Sequence, residues 1–133
     1  FNGPVLGGIL TVMGFAAFGK HLRNTWPIAA GVAGATLLFG KGLASPGPLL
    51  AVLFGTTLAP LAGEFGPLVG LAAGFVHLVM VEQTAPWHLG MNLYNNGFAG
   101  GLTATYFVAL IEWLRSNRGG RRPRLAGRKD GRA

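Results

Sequence analysis

Residues 66 to 82 read Gly-Pro-Leu-Val-Gly-Leu-Ala-Ala-Gly-Phe-Val-His-Leu-Val-Met-Val-Glu, an apolar run opened by a Gly-Pro turn and interrupted only by His77 before Glu82 closes it. A helix that crosses a bilayer needs roughly 20 mainly apolar residues, with a range of about 17 to 25. This run meets the lower limit, and similar runs lie at 4 to 19, 26 to 40, 47 to 62 and 97 to 114. Polar or turn-forming stretches separate them: Lys20 to Asn24, Lys41 to Pro46, Gly63 to Pro67 and Gln83 to Asn96. Prolines at 4, 27, 48 and 67 fall near the proposed helix starts, where a missing N–H costs least. The third run carries Pro46, Pro48, Gly55 and Pro60, so it either spans or forms the kind of discontinuous, re-entrant helix that transporters use to build binding sites. No ten-residue alternating segments of the barrel kind occur. The expected fold is an all-α integral membrane protein with about five transmembrane or re-entrant helices over residues 1–114.

Composition agrees. Half of the 133 residues are apolar and 11% are charged, against about 25% charged in a soluble domain. Up to Leu114, Lys20, Arg23 and Lys41 balance Glu64, Glu82 and Glu112, so the net charge of +7 resides in the tail. Residues 115–133 hold eight Arg or Lys and one acid, Asp130, and should form a disordered basic tail. The positive-inside rule places that tail in the cytoplasm and, counted back through five crossings, puts Lys20 and Arg23 on the same side with Lys41 as the exception. A multi-pass protein of the cell membrane, with a cytoplasmic C-terminus that touches anionic lipid, is expected. The tail has no aromatic residue, which argues against specific nucleic-acid recognition. The absence of cysteine excludes disulfides, thiolate metal sites and cysteine nucleophiles. Because the chain opens at Phe1 in what looks like the interior of a motif, it is expected to be the C-terminal part of a longer protein.

Twenty-three glycines would weaken soluble helices, whereas in a bilayer small residues let helix backbones approach. Gly66, Gly70 and Gly74 form one such stripe and Gly97 with Gly101 another; close packing and a narrow pore are both open readings. Residues 2 to 11, Asn-Gly-Pro-Val-Leu-Gly-Gly-Ile-Leu-Thr, echo residues 96 to 103, Asn-Gly-Phe-Ala-Gly-Gly-Leu-Thr. Such an echo suggests one portion of a repeat-built transporter fold.

The candidate solute path combines Asn92, Asn95, Asn96, Thr103 and Asn2, neutral groups that offer donors and acceptors, with His77, an ionisable residue inside a span and hence a functional candidate. No catalytic site, cofactor or metal is expected. His88 and Asn92 form H-x-x-x-N, which resembles an oxyanion-stabilising element of rhomboid intramembrane proteases, yet no later serine nucleophile and second histidine complete it. His77, Glu82 and His88 are too badly spaced for a recognised zinc motif.

Asn92-Leu-Tyr-Asn-Asn-Gly-Phe-Ala-Gly-Gly101 resembles the G-L-Y-G-Y-N-x-x-L-V-G signature of the urea transporter family. Ser45-Pro-Gly-Pro-Leu-Leu-Ala-Val-Leu-Phe54 is similar to its N-P-x-x-G-L-L-I-L segment, and Phe1-Asn-Gly-Pro-Val-Leu-Gly to another Y-N-G-x-L-V-G copy. Ser45 and Asn95 depart from that pattern, and the N-L-Y-N-N-G-F string is also similar to an uncharacterised family of bacterial multi-spanning membrane proteins. The resemblance implies a channel or transporter for a small urea-like or amide-like solute, assembled as a homo-oligomer or with an upstream part of the same chain. The alternative is a non-transporting membrane subunit that packs against partner helices.

Overall fold

The computed structural model describes residues 2–119, the side chain of Asn92 excepted, and these residues form helices and turns with no strand among them. Six α-helices follow in chain order: α1 Gly3–Ala16, α2 Leu22–Leu38, α3 Pro46–Gly55, α4 Ala59–Phe65, α5 Pro67–Thr84 and α6 Asn92–Gly119. A 3-10 turn, Thr56–Leu58, joins α3 to α4 into one helical segment, Pro46–Phe65, so the described chain consists of five helical segments. Three are long and apolar enough to cross a membrane: Pro46–Phe65, Pro67–His88 and Leu93–Arg118. Pro4, Pro46, Pro60 and Pro67 lie in the first turn of their helices, where no partner for an N–H is lost. Asn2 caps α1 by accepting the Val5 N–H at 3.1 Å.

The tightest contact joins α2 and α5. Buried residues recur on α2 at Asn24, Pro27, Ile28, Gly31, Val32, Ala35 and Thr36, and on α5 at Gly70, Ala73, Gly74, His77, Leu78, Val81 and Thr84. Both sets follow the spacing of a single helical face. A Cβ on Gly31 would lie 2.0 Å from the Leu71 carbonyl oxygen, and one on Gly74 would lie 2.1 Å from that of Ile28. The two backbones therefore touch through their glycines, which realises the packing reading of Gly70 and Gly74. Gly66 does not belong to that stripe: with φ +93 it forms the turn before α5. Gly97 and Gly101 face open space rather than a neighbouring helix of this chain.

Long-range contacts give the direction of each segment. Pro27 lies against Gly70, while Lys41, just beyond α2, meets Glu82 near the end of α5 in a 2.5 Å ion pair. Helices α2 and α5 thus run parallel, so the α3–α4 segment between them traverses the bundle from end to end and does not double back. Gly7 contacts Leu93 at the start of α6, and Arg115 near the end of α6 lies over the Phe65 ring. One end of the bundle consequently carries Lys20, Arg23, Arg115 and Arg118, and the opposite end carries Lys41 and Glu82. Glu82 pairs, partly exposed, with Lys41 at that end.

Three further details differ from the sequence expectation. Helix α2 starts at Leu22, so Pro27 lies in its sixth position rather than at its start. Asn2 precedes α1, whereas Asn96 lies inside α6, so the two members of the Asn-Gly echo take different positions in their helices. Helix α6 also continues through Arg115 and Arg118 to Gly119. The rest of the expected disordered tail, residues 120–133, and Phe1 lie outside the described residues.

Candidate functional site

Two polar clusters lie within the bundle. The first closes the hairpin between α5 and α6. Leu89 at φ 46 and Gly90 at φ 88 reverse the chain after a 3-10 turn, Ala85–His88, and bring the first turns of α6 back against α5. Asn95, 2% exposed, donates its amide to the Val81 carbonyl at 2.8 Å. Its Oδ1 accepts from the Thr84 hydroxyl at 2.6 Å and from His88 Nδ1 at 2.8 Å. His88 Nδ1 also lies 3.1 Å from the Thr84 carbonyl. Both neighbours of that nitrogen are acceptors, so Nδ1 carries the proton and the lone pair resides on Nε2. The His88 ring stacks edge-on against Tyr94 and Phe98. Asn95 is thus buried and bonded to the backbone of another helix from within α6. Its polar atoms tie two helices together.

The second cluster surrounds His77 on α5. Its side chain is fully buried, and neither ring nitrogen has a hydrogen-bond partner among the described residues. A Cβ on Gly55, at the end of α3, would lie 3.0 Å from His77 Cδ2 and 3.6 Å from Nε2. A Cβ on Gly100 of α6 would lie 3.8 Å from His77 Cε1 and 3.6 Å from the Thr57 hydroxyl oxygen. The imidazole therefore occupies a slot between two glycine backbones, next to the 3-10 turn. A Cβ at 55 would press on the ring, so alanine there requires His77 to shift by a few tenths of an ångström. Thr57 donates its hydroxyl to the Phe54 carbonyl at 2.8 Å, which leaves its oxygen lone pairs available towards Gly100.

Asn96 and Thr103 are buried on the face of α6 that carries Ala99, Gly100 and Phe107. The spacing is that of one helical stripe, so Asn96, Gly100 and Thr103 face the interior together. Thr103 donates to the Ala99 carbonyl at 2.8 Å. Asn2 remains outside this group, exposed at the N-terminus of α1. For Asn92 only its position, first in α6, is described. Sequence reasoning missed Gly55, Thr57, Thr84, His88 as a helix tie, and Gly100. The spacing from His77 to Thr84 places both on one face of α5, a signal available without coordinates; the pairing of Gly55 with Gly100 across His77 leaves none.

No three His, Asp or Glu side chains converge on a metal-binding arrangement among the described residues. An open apolar hollow of about 590 Å³ between Gly3, Pro4, Gly90, Met91, Leu93 and Tyr94 lies at the bundle end and does not include His77.

These features define an all-helical bundle with three helices able to span a membrane by length and composition, and with His77 buried in its largely apolar interior. The chain belongs to the family described as "Protein of unknown function (DUF1576)", whose model matches residues 1–113. No curated protein and no solved structure matches the chain.

Proposed function

We propose that this protein is a multi-pass membrane protein that passes a small neutral polar solute, of the amide or urea kind, between α3–α4, α5 and α6. The observation that carries the reading is His77, a fully buried imidazole with both nitrogens unpartnered. In a bundle surrounded by lipid such a group is costly to keep and is retained for a purpose. A neutral imidazole has one donor and one acceptor, a match for solutes that carry both. Asn96 and Thr103 face the same interior, and Thr57 supplies a further hydroxyl. Thr57 and His77 bound the space at Gly100, where a Cβ would sit in ordinary contact with both, so a solute passes only if α6 moves. Urea stays the first solute to test because of the resemblance at 92 to 101.

Five crossings, with the basic end of the bundle in the cytoplasm, fit the positive-inside rule. Lys20, Arg23, Arg115 and Arg118 share that end, and Lys41, alone at the other, is held by Glu82. The localisation that follows is the cell membrane.

The test is solute flux into vesicles. With urea, formamide, glycerol, ammonium and water offered in turn, the protein should speed at least one of the neutral solutes over empty vesicles. Gly100→Ala fits in ordinary contact with its neighbours, so it should fill the gap and lower flux severalfold without a change in thermal midpoint. If no solute moves faster than in empty vesicles, the reading is wrong.

A second reading, a non-transporting subunit that packs against partner helices, is favoured by α6, whose apolar window is 22% buried with Gly97 and Gly101 turned outward. A second copy or an upstream part of the same chain would cover that face. A single monomeric mass in detergent, measured by light scattering on the full-length protein, would count against it.

A further inference from the structure

At the basic end of the bundle, a groove of about 190 Å³ runs between the end of α1, the start of α2 and Thr56 of the 3-10 turn, lined also by Val12, Ala16, Lys20, His21, Leu22 and Thr25. The turn that shapes it is firmly built. Gly19 adopts φ +82, which favours glycine. Asn24, buried, accepts the His21 N–H at 2.9 Å and donates to the Gly19 carbonyl at 3.0 Å. Lys20 is thereby held over the groove, with its ammonium 5.8 Å from the Phe15 ring. That nitrogen is shielded from solvent and has no hydrogen-bond acceptor among the described residues, although an ammonium carries three donors. Glu64 and Glu112, the acids assigned to this end, do not bond it.

We propose that this groove binds the headgroup phosphate of an anionic phospholipid, with the phosphate on Lys20 Nζ and acyl chain along Val12 and Ala16. Charge complementarity selects the anion: a buried cation without an acceptor is satisfied by a phosphate oxygen in a charge-assisted bond. Burial pushes the Lys20 pKa below the ordinary lysine value, and a bound anion opposes that effect. The apolar walls select a lipid over free phosphate, because Val12, Ala16 and Leu22 offer an inorganic ion no contact of value. The first turn of α2 lies beside the site, and the positive end of its helix dipole favours negative charge there. This site differs from the lipid contact expected of the basic tail, and it does not depend on the passage of a solute.

The experiment is native mass spectrometry of the full chain released from mixed phosphatidylcholine and phosphatidylglycerol, with thermal midpoints in detergent read beside it. One phosphatidylglycerol should remain bound through delipidation and raise the midpoint. Lys20→Gln should weaken retention at least tenfold and Lys20→Arg should restore most of it. Arg23→Gln, a charge-matched control, and a chain ended after Arg118 should each retain the lipid within about twofold, the range expected of a charge screened by salt. Loss of retention in the shortened chain or in Arg23→Gln equal to that in Lys20→Gln would overturn the site in favour of general attraction. Equal stabilisation by inorganic phosphate would overturn the lipid as occupant, and unchanged retention in Lys20→Gln would overturn both.

Discussion

Glycines inside the helices do opposite things in this protein, and the contacts of an added methyl tell them apart. At Gly31 and Gly74 a Cβ would enter the backbone of the facing helix, so α2 and α5 must separate to admit it. Gly74→Ala should lower stability by about 1–3 kcal/mol, the range for an overpacked interior, measured as unfolding in mixed detergent. Gly97→Ala meets open space and should be neutral or stabilising by up to about 1 kcal/mol, because alanine is the better helix former. Equal losses at 74 and 97 would contradict the packing described. Asn95 presents the opposite chemistry. Asn95→Leu removes the bonds to Val81, Thr84 and His88 together and should cost about 1–3 kcal/mol, the net worth of a few hydrogen bonds.

The helical segments differ in how they meet their surroundings. The α3–α4 segment is broken at Thr56–Leu58, where the Thr56 and Thr57 hydroxyls bond back to the Leu53 and Phe54 carbonyls. Freed backbone carbonyls thus find partners inside the segment, as an interrupted helix in an apolar medium requires. Helix α6 shows the other extreme. Ala99 and Thr103 are buried, whereas Leu102 and Tyr106 are 40% and 53% exposed. Nitroxides placed singly at 99, 102, 103 and 106 should therefore report high oxygen access at 102 and 106 and low access at 99 and 103 in a bilayer. A uniform profile would mean that α6 is covered on all sides or leaves the membrane. The Lys41–Glu82 pair joins two segments at one end, with side chains 44% and 29% exposed. Glu82→Gln should consequently cost less than about 1 kcal/mol, as exposed ion pairs do.

For the molecule as a whole, five alternating segments assign each turn to one of two ends. The chain has no cysteine, so single cysteines report these ends without background. Phe18→Cys and Ser116→Cys should be labelled from one side of sealed vesicles by a membrane-impermeant maleimide, and Gly42→Cys and Leu89→Cys from the other. Gly42 is decisive: labelling from the same side as Phe18 would mean that the segment before it does not cross.

Apolar runs and their punctuation determined that the chain is helical, that it has five helical segments and roughly where each begins, because hydrophobic periodicity and proline placement are local properties. The same local signals placed His77 inside an apolar run. They were silent on which residues His77 and Asn95 would meet. The tie from Asn95 to Val81 joins residues 14 positions apart and the Lys41–Glu82 pair residues 41 apart, and such encounters depend on how whole helices pack, not on the chain around either partner. Which glycines are packed, which face outward and which flank an imidazole was decided in the same way. A stripe of small residues permits close approach on either face, and only the neighbouring helices choose. The parallel course of α2 and α5, which makes the interrupted segment a complete traverse, is likewise a property of the assembled bundle. No count of apolar residues contains it, because a helix reads the same in composition whether its chain goes through or turns back.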